Sequence, residues 1–300
     1  MTKMKKFMRQ DMKAWGFLSG YLILFVLFII LPVLFGVGMS LTDFNGIQMP
    51  SFVGFRNYID LFTRDQIFME HIIPNTFQFA LIAGVGGYVL AFIIAWILAQ
   101  IQKIPRTIIA IIIYSPSLTS GVVMTVIWRA LFSGDQQGHL NHLLMTLGLV
   151  DAPVQFLQSP EHLLTIMVIV TVWNSMGIGF LAMLSGILNV NEELYEAGAI
   201  DGIKNRIQEV IHITIPSMKP QMLFGAVMAV VNTFNVSRVG VELTGQNPTP
   251  EYAGQLIVNH IEDHGFIRFE MGYAAAISVV LLVFVYYISK LAFRAFAEKD

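Results

Sequence analysis

Histidine and carboxylate pairs are the side chains whose spacing could do chemistry. His139 and His142, and His260 and His264 flanking Glu262 and Asp263, are spaced as metal ligands can be. Both pairs fall in segments read below as outer loops, where solvated side chains are the expected state. Glu192 and Glu193 could serve acid–base chemistry, but they follow Asn191 directly, where a helix N-terminus favours anions. The chain has no H-E-x-x-H helix and no G-x-x-x-x-G-K-[ST] loop, so it lacks a metalloprotease signature and a nucleotide cradle of its own. Zero cysteines exclude disulfides, thiolate zinc sites and cysteine nucleophiles. The expectation is a chain without catalytic residues, metal or cofactor.

A second class of residue is polar without being ionisable, and it sits in apolar runs. Tyr114, Ser115, Ser117, Thr119 and Ser120 surround Pro116. Trp173, Asn174 and Ser175 precede Gly177 and Gly179, and Asn232, Thr233, Asn235 and Ser237 form a third set. An aromatic platform beside amides suits sugars, which have apolar faces and hydroxyl rims. Ser117, Trp173, Asn174, Asn232 and Asn235 are the candidate substrate-pathway residues. The competing account is local: Ser and Thr hydroxyls bond back to their own helix, and glycines serve close packing. Tyr88 with Gly84, Gly86 and Gly87 reads as packing of that kind.

The elements that carry these residues must lie in a membrane. Charged residues are only 13% of the 300, against 55% hydrophobic, and the mean hydropathy is +0.66. That apolar excess is more than one water-soluble core can hide. Six stretches approach the roughly 20 apolar residues that a spanning helix needs. They run Trp15–Leu41, Thr76–Ile101, Thr107–Phe132, Leu163–Leu188, Gln221–Ser237 and Gly272–Ile288. Unbroken Val, Ile and Leu runs argue for helices over barrel strands. The predicted class is therefore all-α, a polytopic membrane protein with six transmembrane helices. The basic lead-in before the first stretch resembles a signal peptide, but the run is long and lacks a small-residue cleavage site, so it reads as a retained span.

Five of the six stretches contain no Asp, Glu, Lys, Arg or His, and the third contains only Arg129 near its outer end. Buried ionisable groups mark proton relays and intramembrane catalysis. Their absence argues against an ion-coupled carrier and against a membrane-embedded enzyme. Placing the amino terminus inside puts 13 of the 18 basic residues and 8 of the 20 acidic ones on the cytoplasmic side. The balance of +5 inside and −7 outside favours both termini in the cytoplasm. The near-neutral total of −2 gives no reason to expect nucleic acid as a partner.

The one sizeable inner segment, 189–220, is more specific. Asn191 can cap a helix, Gly202 can end it in the left-handed conformation, and Pro216 and Pro220 interrupt the stretch after Ile203. Two short helices around a glycine make either a docking knob or an amphipathic connector lying on the membrane. The order Glu196-Ala-Gly-Ala-Ile-Asp-Gly202, then an apolar helix and Ile213-Thr-Ile-Pro-Ser-Met-Lys-Pro220, resembles the cytoplasmic EAA loop of ATP-binding-cassette (ABC) importer permeases. Gly20-Tyr-Leu, Leu41-Thr-Asp-Phe-Asn, Phe52-Val-Gly-Phe-Arg-Asn-Tyr, Asn75-Thr-Phe, Val126-Ile-Trp-Arg-Ala-Leu-Phe-Ser-Gly-Asp and Glu270-Met-Gly-Tyr-Ala-Ala-Ala are similar to the carbohydrate branch, of maltose-permease and glycerol-phosphate-permease type. Three departures stand out. Gly198 replaces the usual second alanine, Ile203 stands where alanine is common, and the stretch to Ile215-Pro216 is one residue longer.

The resemblance implies a type I, MetI-like fold in the cytoplasmic membrane of a prokaryote. Its parts would be 1–75 (tail, first span and outer loop), a permease core 76–292 with the coupling loop 189–220, and a cytoplasmic tail 293–300. Glu196, Ala197, Gly198, Asp201 and Gly202 would meet an ATPase. The implied partners are a second homologous permease, two ABC ATPase subunits that use ATP and Mg, an extracytoplasmic solute-binding protein and a carbohydrate. Polyols, glycerol phosphodiesters or peptides are the alternative cargo.

Overall fold

The computed structural model describes residues 18–119, 121–235 and 238–296, the side chains of residues 121, 122, 124, 235, 295 and 296 excepted. The basic lead-in, Ser120, Ser237 and the side chain of Asn235 therefore lie outside the described residues. Among those described, the only β pairing is one bridge between Thr42 and Phe52. The chain divides into two compact units, one made of the residues up to Arg64 with Ile261–Val280, the other of Asp65–His260 with the residues from Leu281 on.

In the first unit, α1 (Leu18–Met39) is 22 residues long, and none of its apolar window is buried. A helix apolar on every side is one that faces hydrocarbon. The chain after it is clamped by α2 (Arg56–Thr63). The Asn57 amide donates to the carbonyls of Ser40 and Thr42, each at 2.8 Å, and Ser40 Oγ meets Tyr58 OH at 2.7 Å. Ser51 donates through its hydroxyl and its amide to Asp43, which holds that carboxyl below the ordinary carboxylate range. The final helix (Met271–Phe296) begins in this unit. Gly272 N donates to Phe44 O at 2.9 Å, and a Cβ on Gly272 would collide with the Thr42 carbonyl. Only a glycine lets that backbone approach.

The second unit opens with α3 (Phe68–Ala99), 32 residues long. Residues 66 and 67 are helical ahead of it, and Asp65 Oδ1 caps that turn by accepting from Phe68 N at 2.9 Å, so helix begins well before the apolar run. The third predicted span is broken. α4 (Lys103–Leu118) ends at Thr119, whose ψ of 139° is extended, and α5 (Gly121–Leu131) resumes beyond. Pro116 lies three residues before the break and denies an amide to the Ile112 carbonyl, which Ser115 Oγ satisfies instead at 2.8 Å. α6 (His139–Thr146) carries Asn141, fully buried, whose amide ties Ser133 O and Val154 O into the loop. α7 (Pro160–Asn174) and α8 (Ile178–Leu188) make one apolar stretch bent by 50°. α9 (Glu192–Ile200) and α10 (206–217) form the loop helices, α11 (Lys219–Asn235) follows, and α12 (Val239–Thr244) lies beyond it. Among the described residues, three helices are long and apolar enough to span alone, and the bent pair makes a fourth. With broken α4–α5 and the 17-residue α11, the set is compatible with six crossings.

Two cores hold this unit. One joins Ala91, Ala95 and Leu98 of α3 to Ala110, Phe180, Met183, Ile187, Met218 and Met222. The other joins Phe79 and Ala83 of α3 to Phe132, Leu163, Ile166, Met167, Val170 and Leu243. A cavity opens between them, beside residues 84–88.

The expectation of solvated histidines holds for exposed His139 and His142 and fails for the other pair. His260 and His264 are buried, at 4% and 6% exposure. The loop folds back, and each imidazole finds a carboxylate within its own unit: His260 Nε2 lies 2.8 Å from Asp65 Oδ2, and His264 Nδ1 lies 2.6 Å from Glu270 Oε2.

Candidate functional site

The cavity between the two cores has a volume of about 540 Å³. α3, α4, the α7–α8 bend and α11 line most of it, with Val239 of α12 at one edge. α3 contributes Gly84, Gly87 and Tyr88; its glycines lie one turn apart and let α11 and the bend in. A Cβ on Gly84 would lie 3.0 Å from Thr233 Oγ1, and one on Gly87 would lie 2.9 Å from Ser175 Oγ. α4 contributes Tyr114 and Ser117 where it breaks. The α7–α8 bend contributes Thr171, Asn174 and Ser175, and α11 contributes Gly225, Asn232 and Thr233. Gly179 lets α8 approach α11 closely, since its Cβ would be 3.5 Å from Gly225 Cα.

Three of the five predicted pathway residues, Ser117, Asn174 and Asn232, meet in this one space. Trp173 does not. One residue along a helix is about 100° of rotation, so Trp173 points away from Asn174, is 57% exposed, and meets Trp128 edge-on at 6.2 Å. Tyr88 and Tyr114 line the cavity without having been among the five. Tyr88 sits beside the packing glycines, and its hydroxyl donates to Met222 O at 3.2 Å.

The polar lining separates into committed and uncommitted groups. Ser117 Oγ donates to Tyr114 O, Ser175 Oγ to Val172 O and Thr233 Oγ1 to Ala229 O, each at 2.7 Å and each within its own helix. Asn174 Oδ1 and Thr171 Oγ1 are buried without a partner among the described residues. An unpaired amide or hydroxyl at such a site is costly unless something else meets it.

The loop helices form the second candidate site. Asn191 Oδ1 accepts from Glu193 N at 3.1 Å, so Glu192 and Glu193 fall in the first turn of α9, as their capping role requires. Gly202 has φ +96° and turns the chain. Asn205 Oδ1 then accepts from Gln208 N at 2.9 Å, so α10 starts at Arg206 rather than at Ile203. Glu196, Ala197, Asp201 and Gly202 are exposed. Gly198 is buried on the opposite side, where its missing Cβ would lie 2.7 Å from Ile213 Cδ1 and 2.9 Å from Ile203 Cδ1. Ile200, at the tip, is 86% exposed.

Comparison with known proteins completes the picture. Over 298 residues the chain is 28% identical to a probable ABC transporter permease, YesP, of Bacillus subtilis, covering 98% of this chain and 93% of the relative. It is 25% identical to the lactose transport system permease LacF of Rhizobium radiobacter, covering 96% and 95% of the two chains. Among solved structures, a chain of a bacterial ABC transporter involved in import of the acidic polysaccharide alginate superposes with a TM-score of 0.76 at 24% identity, over 99% of this chain and all of that one. That likeness establishes the permease fold. The family described as the inner membrane component of binding-protein-dependent transport systems matches residues 87–296, and the chain belongs to it.

Proposed function

We propose that the chain forms half of the translocation path of an ATP-driven importer for a sugar or oligosaccharide, and that α9 is the surface on which an ATPase subunit acts. The observation that carries the reading is the knob: a capped helix ended by Gly202 at φ +96°, with Glu196, Ala197 and Asp201 exposed and an uncovered isoleucine at its tip. Exposed apolar side chains rimmed by charge suit a protein partner. The permease core would be 76–292. A second homologous permease would complete the path, two ABC ATPases would hold ATP and Mg, and an external binding protein would deliver the solute. Both termini would lie in the cytoplasm. The sugar assignment draws on relatives named for lactose, arabinooligosaccharides and starch degradation products. It also draws on the unpaired Asn174 and Thr171 oxygens in a cavity that Tyr88, Tyr114 and Phe180 also line.

Gly202→Asp tests the coupling directly. A side chain at φ +96° is strained, so the turn must rearrange and the knob must shift. In proteoliposomes containing all partners, ATP hydrolysis should continue while uptake of the delivered sugar falls about tenfold. Normal uptake by this variant would remove the assignment of α9.

A further inference from the structure

We propose that Tyr195, Thr214 and the notch at Gly198 are positioning elements that lock α9 onto α10, so that displacement of the knob reaches α11 as the motion of one rigid body. The proposal rests on the coupling role of α9 and names the residues through which that role would act. Tyr195 OH meets Thr214 Oγ1 at 2.9 Å, and this is the one side-chain hydrogen bond between α9 and α10 among the described residues. One turn along α9, Gly198 receives Ile213 and Ile203 in the space a Cβ would fill. Thr214 and Ile213 are adjacent and both buried, at 2% and 8% exposure, in the π-helical turn Val210–Thr214. Such turns are uncommon, and this one places two consecutive side chains toward α9.

Two departures from the usual EAA pattern now have one explanation. The alanine lost at 198 and the bulk gained at 203 touch each other, so they act as a single exchange of volume. Without the lock, the link from α9 to α10 would be the turn at Gly202, and a push on α9 would rotate it about that glycine. With the lock, the push passes through α10 and fully buried Met218 into α11, which carries Gly225, Asn232 and Thr233 along the cavity. Tyr195 and Thr214 touch neither substrate nor nucleotide; they act through the helices they join.

The test uses the assembled importer with cysteine-free partner subunits. This chain has no cysteine, so spin labels at Ile111→Cys on α4 and Val231→Cys on α11 report only their own separation. Both positions are exposed, at 62% and 40%. MgADP trapped with vanadate serves as the probe, which makes the readout independent of the sugar. The parent complex should show a second distance population on trapping. Tyr195→Phe and Thr214→Val should each lower the ratio of shifted to unshifted population about fivefold, while Thr214→Ser, which keeps the hydroxyl, should retain it. The Phe/Val double variant should lose no more than Thr214→Val alone, because Tyr195 adds only its bond to Thr214, whose Oγ1 also donates to Glu209 O at 3.4 Å. Co-purification of the ATPase subunits should be unchanged throughout.

An unshifted ratio in Tyr195→Phe and Thr214→Val, with the parent responding normally, would overturn the lock and leave the coupling reading standing. Multiplying losses in the double variant would overturn it equally. No second population in the parent complex would remove the coupling role of α9 and the lock with it.

Discussion

Gly86 and Gly87 are neighbours in α3 with opposite surroundings. A Cβ on Gly86 would meet nothing within 4 Å, whereas one on Gly87 would lie 2.9 Å from Ser175 Oγ, which is already held by the Val172 carbonyl. Gly86→Ala should therefore raise the detergent melting temperature by a helix-propensity gain of about 0.5–1 kcal/mol. Gly87→Ala should lower it, through an overpacking loss of about 1–2 kcal/mol in stability; equal shifts for the two would mean that the α3–bend contact is wrongly placed. The same residue-level logic divides the cavity lining. The hydroxyls of Ser117, Ser175 and Thr233 are spent on their own helices, whereas Asn174 Oδ1 is buried without a partner among the described residues and Asn232 lines the same cavity. Asn174→Ala and Asn232→Ala should each raise the sugar concentration for half-maximal uptake about tenfold, while Ser175→Ala should change it less than twofold. A substrate-saturation curve for each variant decides the matter. Residue types foretold this only in part. That Ser, Thr and Asn sat at mid-span was legible; which of them turn back on their own carbonyls depends on rotamers, and composition carries no signal for that.

At the scale of elements, α4 shows how a broken helix is kept inside a bilayer. Pro116 leaves the Ile112 carbonyl without its amide, and Ser115 Oγ covers it at 2.8 Å. An unmet carbonyl in hydrocarbon costs more than a lost surface bond. Ser115→Ala alone should destabilise the protein by about 1–2 kcal/mol. Adding Pro116→Ala restores the amide, so the double variant should recover most of that loss in thermal unfolding of the detergent-solubilised protein; additive losses would show that the serine does not serve the proline. The apolar runs announced the helices well, because lipid demands them, and Asn191 and Gly202 announced the two ends of α9. The break at Thr119 was harder to read. A proline within an apolar run is often absorbed as a kink, and nothing in the order of polar residues around Pro116 shows that Ser115 bonds to the backbone one turn below.

At the scale of the whole molecule, the bent pair α7–α8 is read as one crossing of the membrane rather than a loop that turns back within it. The residues from 163 to 188 carry no ionisable side chain, so either course is tolerated by composition. Length and angle argue for a crossing. α7 has 15 residues and α8 has 11, about 22 Å and 16 Å of rise, and neither alone covers the roughly 30 Å of hydrocarbon. A bend of 50° leaves the second half still advancing along the first, whereas a re-entrant loop needs near-reversal. A crossing separates Lys204 and Arg206 from Asp151 and Glu161, and with the basic pair on the cytoplasmic side it would follow the positive-inside rule. With no native cysteine, single substitutions Asp151→Cys and Lys204→Cys, both at exposed positions, can be labelled with a membrane-impermeant maleimide. In right-side-out vesicles the first should react and the second should not, and inside-out vesicles should reverse the pattern. If both label in right-side-out vesicles, the bent pair is a re-entrant loop, α9 lies on the outer face, and an ATPase could not reach it.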